Sequence, residues 1–160
     1  MALEIERRWL IDLDKVPSGL ISNENTVYIR QFYDKDKVRF RYQKNRTDNN
    51  VTCFKTIKTG EGLVRTENEN IISVEIFLQK YEESSAPEMV IKERVKIPFH
   101  DVIIELDRFY YLGDLVIAEI EFPDEVSANN FTNIPDWFGK EITNEKGLSN
   151  YDLFVKINKE

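Results

Sequence analysis

The sequence predicts an α+β domain, mainly β, built on eight consecutive antiparallel strands with a few flanking helices. Three observations predict it. Apolar residues recur at spacing two in eight runs separated by turn chemistry. Two further segments switch to helical spacing behind a capping residue. The 160 residues, 41% hydrophobic and 12% aromatic, suffice for one well-filled domain spanning 1–160 and leave no room for a second.

The first runs are Leu3 to Ile11 and Val27 to Tyr33. Val38 to Gln43 and Val51 to Lys58 follow, divided by the Asn/Asp-rich loop Asn45 to Asn50. Leu63 to Ile71 comes after the turn Gly60-Glu61-Gly62, and Met89 to Ile97 after Pro87. Val102 to Tyr110 follows the Pro98 turn, and Leu115 to Phe122 follows Leu112-Gly113-Asp114. Within Ser73 to Glu83, Val74, Phe77, Leu78 and Tyr81 fall at i, i+3, i+4 and i+7, predicting an amphipathic helix capped by Ser73. A short helix from Asp124 to about Asn130 is expected after Pro123, with Asp124 as cap. Trp137 and Phe138 are expected to pack the tail on the sheet, and Tyr28, Tyr33, Tyr110 and Tyr111 to pack strands.

Charge excludes several functions. Lys and Arg number 22 against 29 Asp and Glu, a net charge of -7, which argues against a general binder of nucleic acid or anionic membrane. Cys53 has no partner for a disulfide, so a reducing, cytoplasmic compartment and a small buried side chain are expected. His100 stands alone beside a turn, which removes His-based triads and His-rich metal sites. The start of the chain is charged from Glu4, unlike a secretion signal, and no stretch approaches the roughly 18 apolar residues of a membrane span, so a soluble protein is expected.

Strand parity carries the functional signal, because side chains at i, i+2 and i+4 share one face. On the first strand that face holds Glu4, Glu6 and Arg8, with Leu3, Ile5 and Trp9 opposite. The third holds Arg39 and Arg41, the sixth Lys92, Arg94 and Lys96, the seventh Glu105 and Asp107, and the eighth Glu119 and Glu121. Arg65, Glu67 and Glu69 share a face of the fifth, opposed by Thr66, Asn68 and Asn70, which suggests a wet exterior. The fourth is ambiguous, since Lys55 and Lys58 have opposite parity. Cations and carboxylates thus segregate by strand.

Three arrangements satisfy this pattern. The charged face lies in solvent, or it lines a closed eight-stranded barrel, or the opposite parity points inward and Ile5, Phe40, Ile91 and Ile120 line an apolar calyx. An ion-lined barrel is tolerable only when wet, mutually paired or filled by ligand. A polyanion with a divalent metal suits it: carboxylates take Mg2+ or Mn2+ through oxygen, and guanidinium and ammonium groups take phosphate. No Gly-rich phosphate loop is present, so side chains would grip the phosphate.

Glu4-Ile5-Glu6-Arg7-Arg8 resembles the ExExK signature of the CYTH proteins, or triphosphate tunnel metalloenzymes. Later segments match in order: Val38-Arg39-Phe40-Arg41, Thr56-Ile57-Lys58, Arg65 to Glu69, Lys92-Glu93-Arg94, Glu105-Leu106-Asp107, Ala118 to Glu121 and Pro135 to Thr143. The similarity runs from Glu4 to about Leu153. It implies a closed eight-stranded antiparallel tunnel with a charged interior that binds a linear triphosphate and Mg2+ or Mn2+. By resemblance, Glu4, Glu6, Glu119 and Glu121 would hold metal. Arg8, Arg39, Arg41, Lys58, Arg65, Lys92 and Arg94 would hold phosphate, and Glu67, Glu69 and Asp107 would bind metal or orient water and basic groups. Arg8 stands where the family usually has Lys, a position that in some members contacts the attacking water or reacting phosphate. Residues 147–160 are expected to form a helix over one tunnel mouth.

The resulting expectation is hydrolysis of inorganic triphosphate to pyrophosphate and phosphate. Its rivals are hydrolysis of a nucleoside or thiamine triphosphate, a class IV type adenylate cyclase, and a non-catalytic polyphosphate- or metal-binding module.

Overall fold

A computed structural model of the protein describes residues 2–159; Met1 and Glu160, the ends of the expected domain, lie outside the described residues. The strands are β1 (Ala2–Ile11), β2 (Thr26–Tyr33), β3 (Arg39–Asn45), β4 (Val51–Thr59), β5 (Val64–Ile72), β6 (Val90–Phe99), β7 (Val102–Phe109), β8 (Val116–Phe122) and β9 (Phe138–Glu141). Their order is β5-β4-β3-β2-β6-β7-β8-β1-β9, and a further antiparallel pairing of β5 with β1 closes the first eight into a barrel. Closure removes the free edges that an open sheet of this size would expose.

The helices are α1 (Val74–Glu83), α2 (Glu125–Asn130) and α3 (Asn150–Ile157). Each starts where a side chain satisfies an orphan amide: Ser73 accepts from Ile76 N, Asp124 from Ser127 N and Ser149 from Asp152 N. All three fall where the sequence placed them. Only Phe77 of the apolar face of α1 is fully buried, while Val74 and Leu78 stay partly exposed. The reason is geometric, since α1 lies on the outer face of β3 and β4, with Phe32 of β2 against Phe77 and Tyr81, and so meets a single surface.

The extra strand, β9, escaped sequence reading because four residues carry too little alternation. It completes an edge that closure leaves half-served. β5 pairs with β1 from Ala2 to Ile5, and β9 takes over from Trp9 to Ile11. Between them Glu6 N donates to Leu63 O (3.0 Å), Arg8 N to Thr143 Oγ1 (3.1 Å), and Ile142 N to Arg8 O (2.8 Å). Gly139 permits this approach: a Cβ there would stand 2.6 Å from Leu10 O.

The outward parity is apolar and covered. Ile5, Trp9, Val95, Ile104, Leu106, Ala118 and Ile120 form one cluster, capped by Phe131, Trp137 and Phe138 from the tail. The Trp9 and Phe138 rings are 4.9 Å apart, which is the tail packing expected. Phe32, Phe40 and Cys53 lie beneath Phe77 of α1, with Phe32 stacked on Phe40 at 5.2 Å. Burial of these side chains at about 25 cal/mol per Å² is the main stabilising term.

The tyrosine expectations need correcting. β7 ends at Phe109, so Tyr110 and Tyr111 lie beyond the strand, and Tyr111 sits at φ 63° with its ring in solvent. Tyr28 packs on Tyr110 outside the barrel, whereas Tyr33 faces the interior. His100 occupies the β6–β7 turn against Phe99, and Cys53 is buried, both as expected. Among the described residues no helix is long and apolar enough to cross a membrane.

Gly139→Ala is expected to destabilise the protein by about 1–3 kcal/mol, because the atom it meets is backbone and cannot swing away. Urea unfolding monitored by Trp fluorescence reads this directly. A midpoint equal to that of the parent protein would show that β9 is not held this tightly.

Candidate active site

The charged parity points inward and encloses a cavity of about 900 Å3. Glu4, Glu6 and Arg8 of β1 reach it, as do Arg39 and Arg41 of β3 and Lys58 of β4. β5 adds Arg65, Glu67 and Glu69; Arg94 of β6 and Glu105 of β7 join them, with Glu119 and Glu121 of β8. The ambiguity on β4 resolves in favour of Lys58, with Thr56 beside it inside and Lys55 exposed. Ile5, Phe40 and Ile120 belong to the covered apolar clusters and Ile91 is absent from the lining, so both the solvent-facing sheet and the apolar calyx fall away.

Two of the expected site residues stand at the closed end of the bore, off the cavity lining. Lys92 and Asp107 are fully buried, bonded to each other at 2.7 Å, and do not line the cavity. Their strands turn apolar on the inward face at this end: Phe109 is the register partner of Lys92, Ile117 of Asp107, and Val90 of Gln31. Leu153 and Phe154 of α3 pack with Val90, Phe109, Ile117 and Ile142. The terminal helix therefore closes one end of the barrel.

Buried carboxylates organise the cations. Arg94 donates through Nε (2.8 Å) and Nη2 (2.9 Å) to the two oxygens of Asp107, a fork that fixes its plane, and through Nη2 also to Glu119 (2.9 Å). The second oxygen of Glu119 accepts from Arg8 Nε (2.9 Å). Lys58 Nζ donates to Glu4 (3.1 Å), and Arg39 Nη2 to Thr56 (3.2 Å) and Glu69 (3.3 Å). Arg65 Nε makes a single long bond to Gly62 O (3.4 Å).

Two donors are left over. Among the described residues, Arg8 Nη2 and Arg39 Nε are buried without an acceptor. An unsatisfied charged donor costs several kcal/mol in such a setting, so both atoms call for an anionic ligand.

The electrostatics divide the carboxylates into two groups. Burial opposes the charged form of Glu119, yet Arg8, Arg94 and Lys92 hold its carboxyl well below the usual range. Asp107 is likewise held down by Arg94 and Lys92 against burial. Glu6 goes the other way, raised well above its ordinary value by burial and then by Glu119 and Glu4. Glu121 is raised by burial, Glu4 and Glu105. Glu6 and Glu121 are register partners across β1 and β8, and Glu4 helps to raise both. Lys92 is brought down to about 7 by burial, opposed by Asp107. Burial and the neighbouring Arg39 and Arg94 push Arg41 down as well.

Several lining residues escaped the sequence reading. Tyr33, Lys37, Thr56, Thr143, Asn144 and Asn150 all reach the cavity. Gln31, just outside it, accepts from Arg41 Nε (2.8 Å). On β2 the inward residues Val27, Ile29, Gln31 and Tyr33 mix apolar with polar, which hid that face. Loop and α3 residues had no periodic signal to reveal them.

No protein-family model matches the chain. It is 33% identical to an inorganic triphosphatase of Acetivibrio thermocellus, over 96% of this chain and 94% of that protein. It is 32% identical to an inorganic triphosphatase of Nitrosomonas europaea, over 96% of this chain and 98% of that one. The crystal structure of the inorganic triphosphatase NE1496 superposes with a TM-score of 0.62 at 29% identity, covering 95% of this chain and 97% of that chain. The PH1012 protein of Pyrococcus horikoshii shares the fold, with a TM-score of 0.53 at 15% identity over 79% of this chain and 83% of that one. At such identity over nearly its whole length, the chain belongs to the inorganic triphosphatase family.

Proposed function

We propose that the protein hydrolyses inorganic triphosphate to pyrophosphate and phosphate inside the barrel, as a triphosphate tunnel metalloenzyme of the CYTH type using Mg2+ or Mn2+. The observation that carries this is the pair of buried guanidinium N–H groups, Arg8 Nη2 and Arg39 Nε, with no acceptor. A linear triphosphate offers acceptor oxygens along its length and matches the spread of cations around the bore. The family's triphosphatase relatives support the same substrate.

The carboxylates fit a hard cation. No group of three or more His, Cys, Asp or Glu is assembled as a metal site among the described residues, so the fit rests on donor chemistry. Glu6 and Glu121 are oxygen donors whose charged form is disfavoured by burial and by neighbouring carboxylates, Glu119 and Glu4 for Glu6, Glu4 and Glu105 for Glu121, a strain that a hard cation would relieve. They are the first holders, and Glu4 and Glu119 would join while still engaged with Lys58 and with Arg8 and Arg94. Bound there, the metal would neutralise phosphate oxygens and acidify a water molecule.

The chain's own residues supply positioning and charge. Arg8, Arg39, Arg41, Lys58, Arg65 and Arg94 hold the phosphates at fixed points, so no reorganisation is needed as charge shifts to the leaving pyrophosphate. Asp107 aims Arg94 and pairs Lys92 from the closed end of the bore, and Glu69 holds Arg39 and Thr56. Glu67 lines the cavity as the register partner of Lys58. No side-chain nucleophile is required, since water is the acceptor.

Purified protein with triphosphate and Mg2+ or Mn2+ is expected to release phosphate and pyrophosphate, followed by phosphorus NMR. No turnover with either metal sinks the reading. Preferential turnover of ATP or thiamine triphosphate in parallel tubes would reassign the substrate, and a cyclic nucleotide product would make it a cyclase. Arg39→Ala is expected to lower kcat/KM for triphosphate about 100- to 1,000-fold, the cost of one preorganised donor.

Glu6 also makes a stability prediction. Its folded-state carboxyl is raised above the unfolded value of about 4.3, so the native state holds a proton that the unfolded chain has lost. Stability therefore falls as pH rises above the unfolded-state value and the buried carboxyl is driven toward its charged form. In chelator, Glu6→Gln should raise Tm at pH 7.5, by about 2–4 °C per kcal/mol recovered, and leave it unchanged near pH 4. Equal Tm values at both pH values would contradict the buried repulsion.

A further inference from the structure

Arg41 is the cation of the cavity whose orientation is least secured by charge. It is buried, it forms no ion pair among the described residues, and Arg39 and Arg94 crowd it. Its one bond is from Nε to Gln31 Oε1 at 2.8 Å. Gln31 is itself fully buried and has one other partner, Asn150, whose Oδ1 accepts from Gln31 Nε2 at 2.9 Å. The same oxygen accepts from Lys92 Nζ at 2.9 Å. One carbonyl oxygen thus terminates two chains of contacts. The first leads through Gln31 to Arg41, and the second through Lys92 and Asp107 to Arg94.

Asn150 does not belong to the barrel. It is the first residue of α3, set by the Ser149 cap and held in place by Leu153 and Phe154 in the apolar end of the bore. Its position is therefore decided by the docking of a helix more than a hundred residues away in sequence from Gln31, a separation of 119.

We propose that Asn150 is a positioning residue for triphosphate: its Oδ1 fixes Gln31 and Lys92, and through Gln31 aims Arg41, so that the phosphate-binding cations are complete only when α3 is docked. This rests on the triphosphatase reading given above. The working feature is an acceptor oxygen at one point, which separates the role from packing. Alanine at 150 keeps a helix-compatible residue at an incompletely buried site but removes the acceptor. Aspartate keeps an oxygen in the same place.

The test uses the full-length protein with inorganic triphosphate and Mg2+. Asn150→Ala is expected to raise KM about tenfold with kcat within about threefold, since Arg41, which lines the cavity, serves ground state and transition state alike. Asn150→Asp should bring KM back to within about threefold of the parent. The double variant with Gln31→Ala should cost less than the sum of its parts, because both lie on one path. An unchanged KM for Asn150→Ala, no recovery by aspartate, or full additivity overturns the proposal. Calorimetric titration of metal-free protein with triphosphate gives the same comparison as Kd, with Asn150→Ala about tenfold weaker. Parent protein that binds triphosphate without turnover sinks the hydrolase reading alone, while parent protein that does neither sinks both.

Discussion

The clamp of Arg94 between Asp107 and Glu119 is the interaction on which the interior depends. Three strands meet there, and the two carboxylates then pass their remaining oxygen capacity to Lys92 and Arg8. Isolated charges of this kind would be expelled from a barrel core at a cost of several kcal/mol each. Linked, they form a rigid lattice in which each carboxylate satisfies two cations. Removal of Glu119 would take from Arg8 its 2.9 Å partner, and removal of Asp107 would leave Lys92 to the carbonyl oxygen of Asn150. The lattice is thus less a source of net stability than a device that makes one arrangement of the cations much better than any other.

That lattice is incomplete on purpose-relevant atoms. Asp107 and Glu119 engage Arg94, and Asp107 and Asn150 engage Lys92, yet among the described residues N–H groups of Arg8 and Arg39 stay unmet, and Glu6 and Glu121 are both crowded by Glu4. Excess donor and excess acceptor charge therefore coexist within one cavity. A polyanion satisfies the first and a hard cation the second, and only the two together leave the bore balanced.

Each end of the barrel is finished differently. At the α3 end the inward faces of β6, β7 and β8 change from ionic to apolar, matching Leu153 and Phe154. At the β1 seam the tail closes the edge instead, through β9 and Thr143, whose hydroxyl accepts from Arg8 N and donates to Glu141 (2.6 Å). Arg7, on the outward parity, forks onto Glu141 and donates to the carbonyls of Ala128 and Phe131, tying tail and α2 to the strand that carries Arg8 inside. Outer staple and inner cation are neighbours on one strand, so the tail helps to hold the site.

Sequence alone determined the eight long strands, two capped helices with a third expected in the tail, and the ionic parity of β1, β3, β5, β6, β7 and β8, because alternation and capping are local and repeat within a few residues. It also carried the resemblance to a triphosphate-binding family, since that signal lies in short motifs in a fixed order. Alternation cannot reveal which partner a charge meets. Lys92 and Arg94 look equivalent on one strand, yet the first is sealed behind Asn150 and Asp107 and the second faces the cavity. Only the tertiary structure decided this, along with the role of Gln31 and the four residues of β9. Those outcomes depend on contacts made across the barrel closure and by a helix arriving from the far end of the chain, where the deciding quantity is the distance between side chains rather than their spacing in sequence.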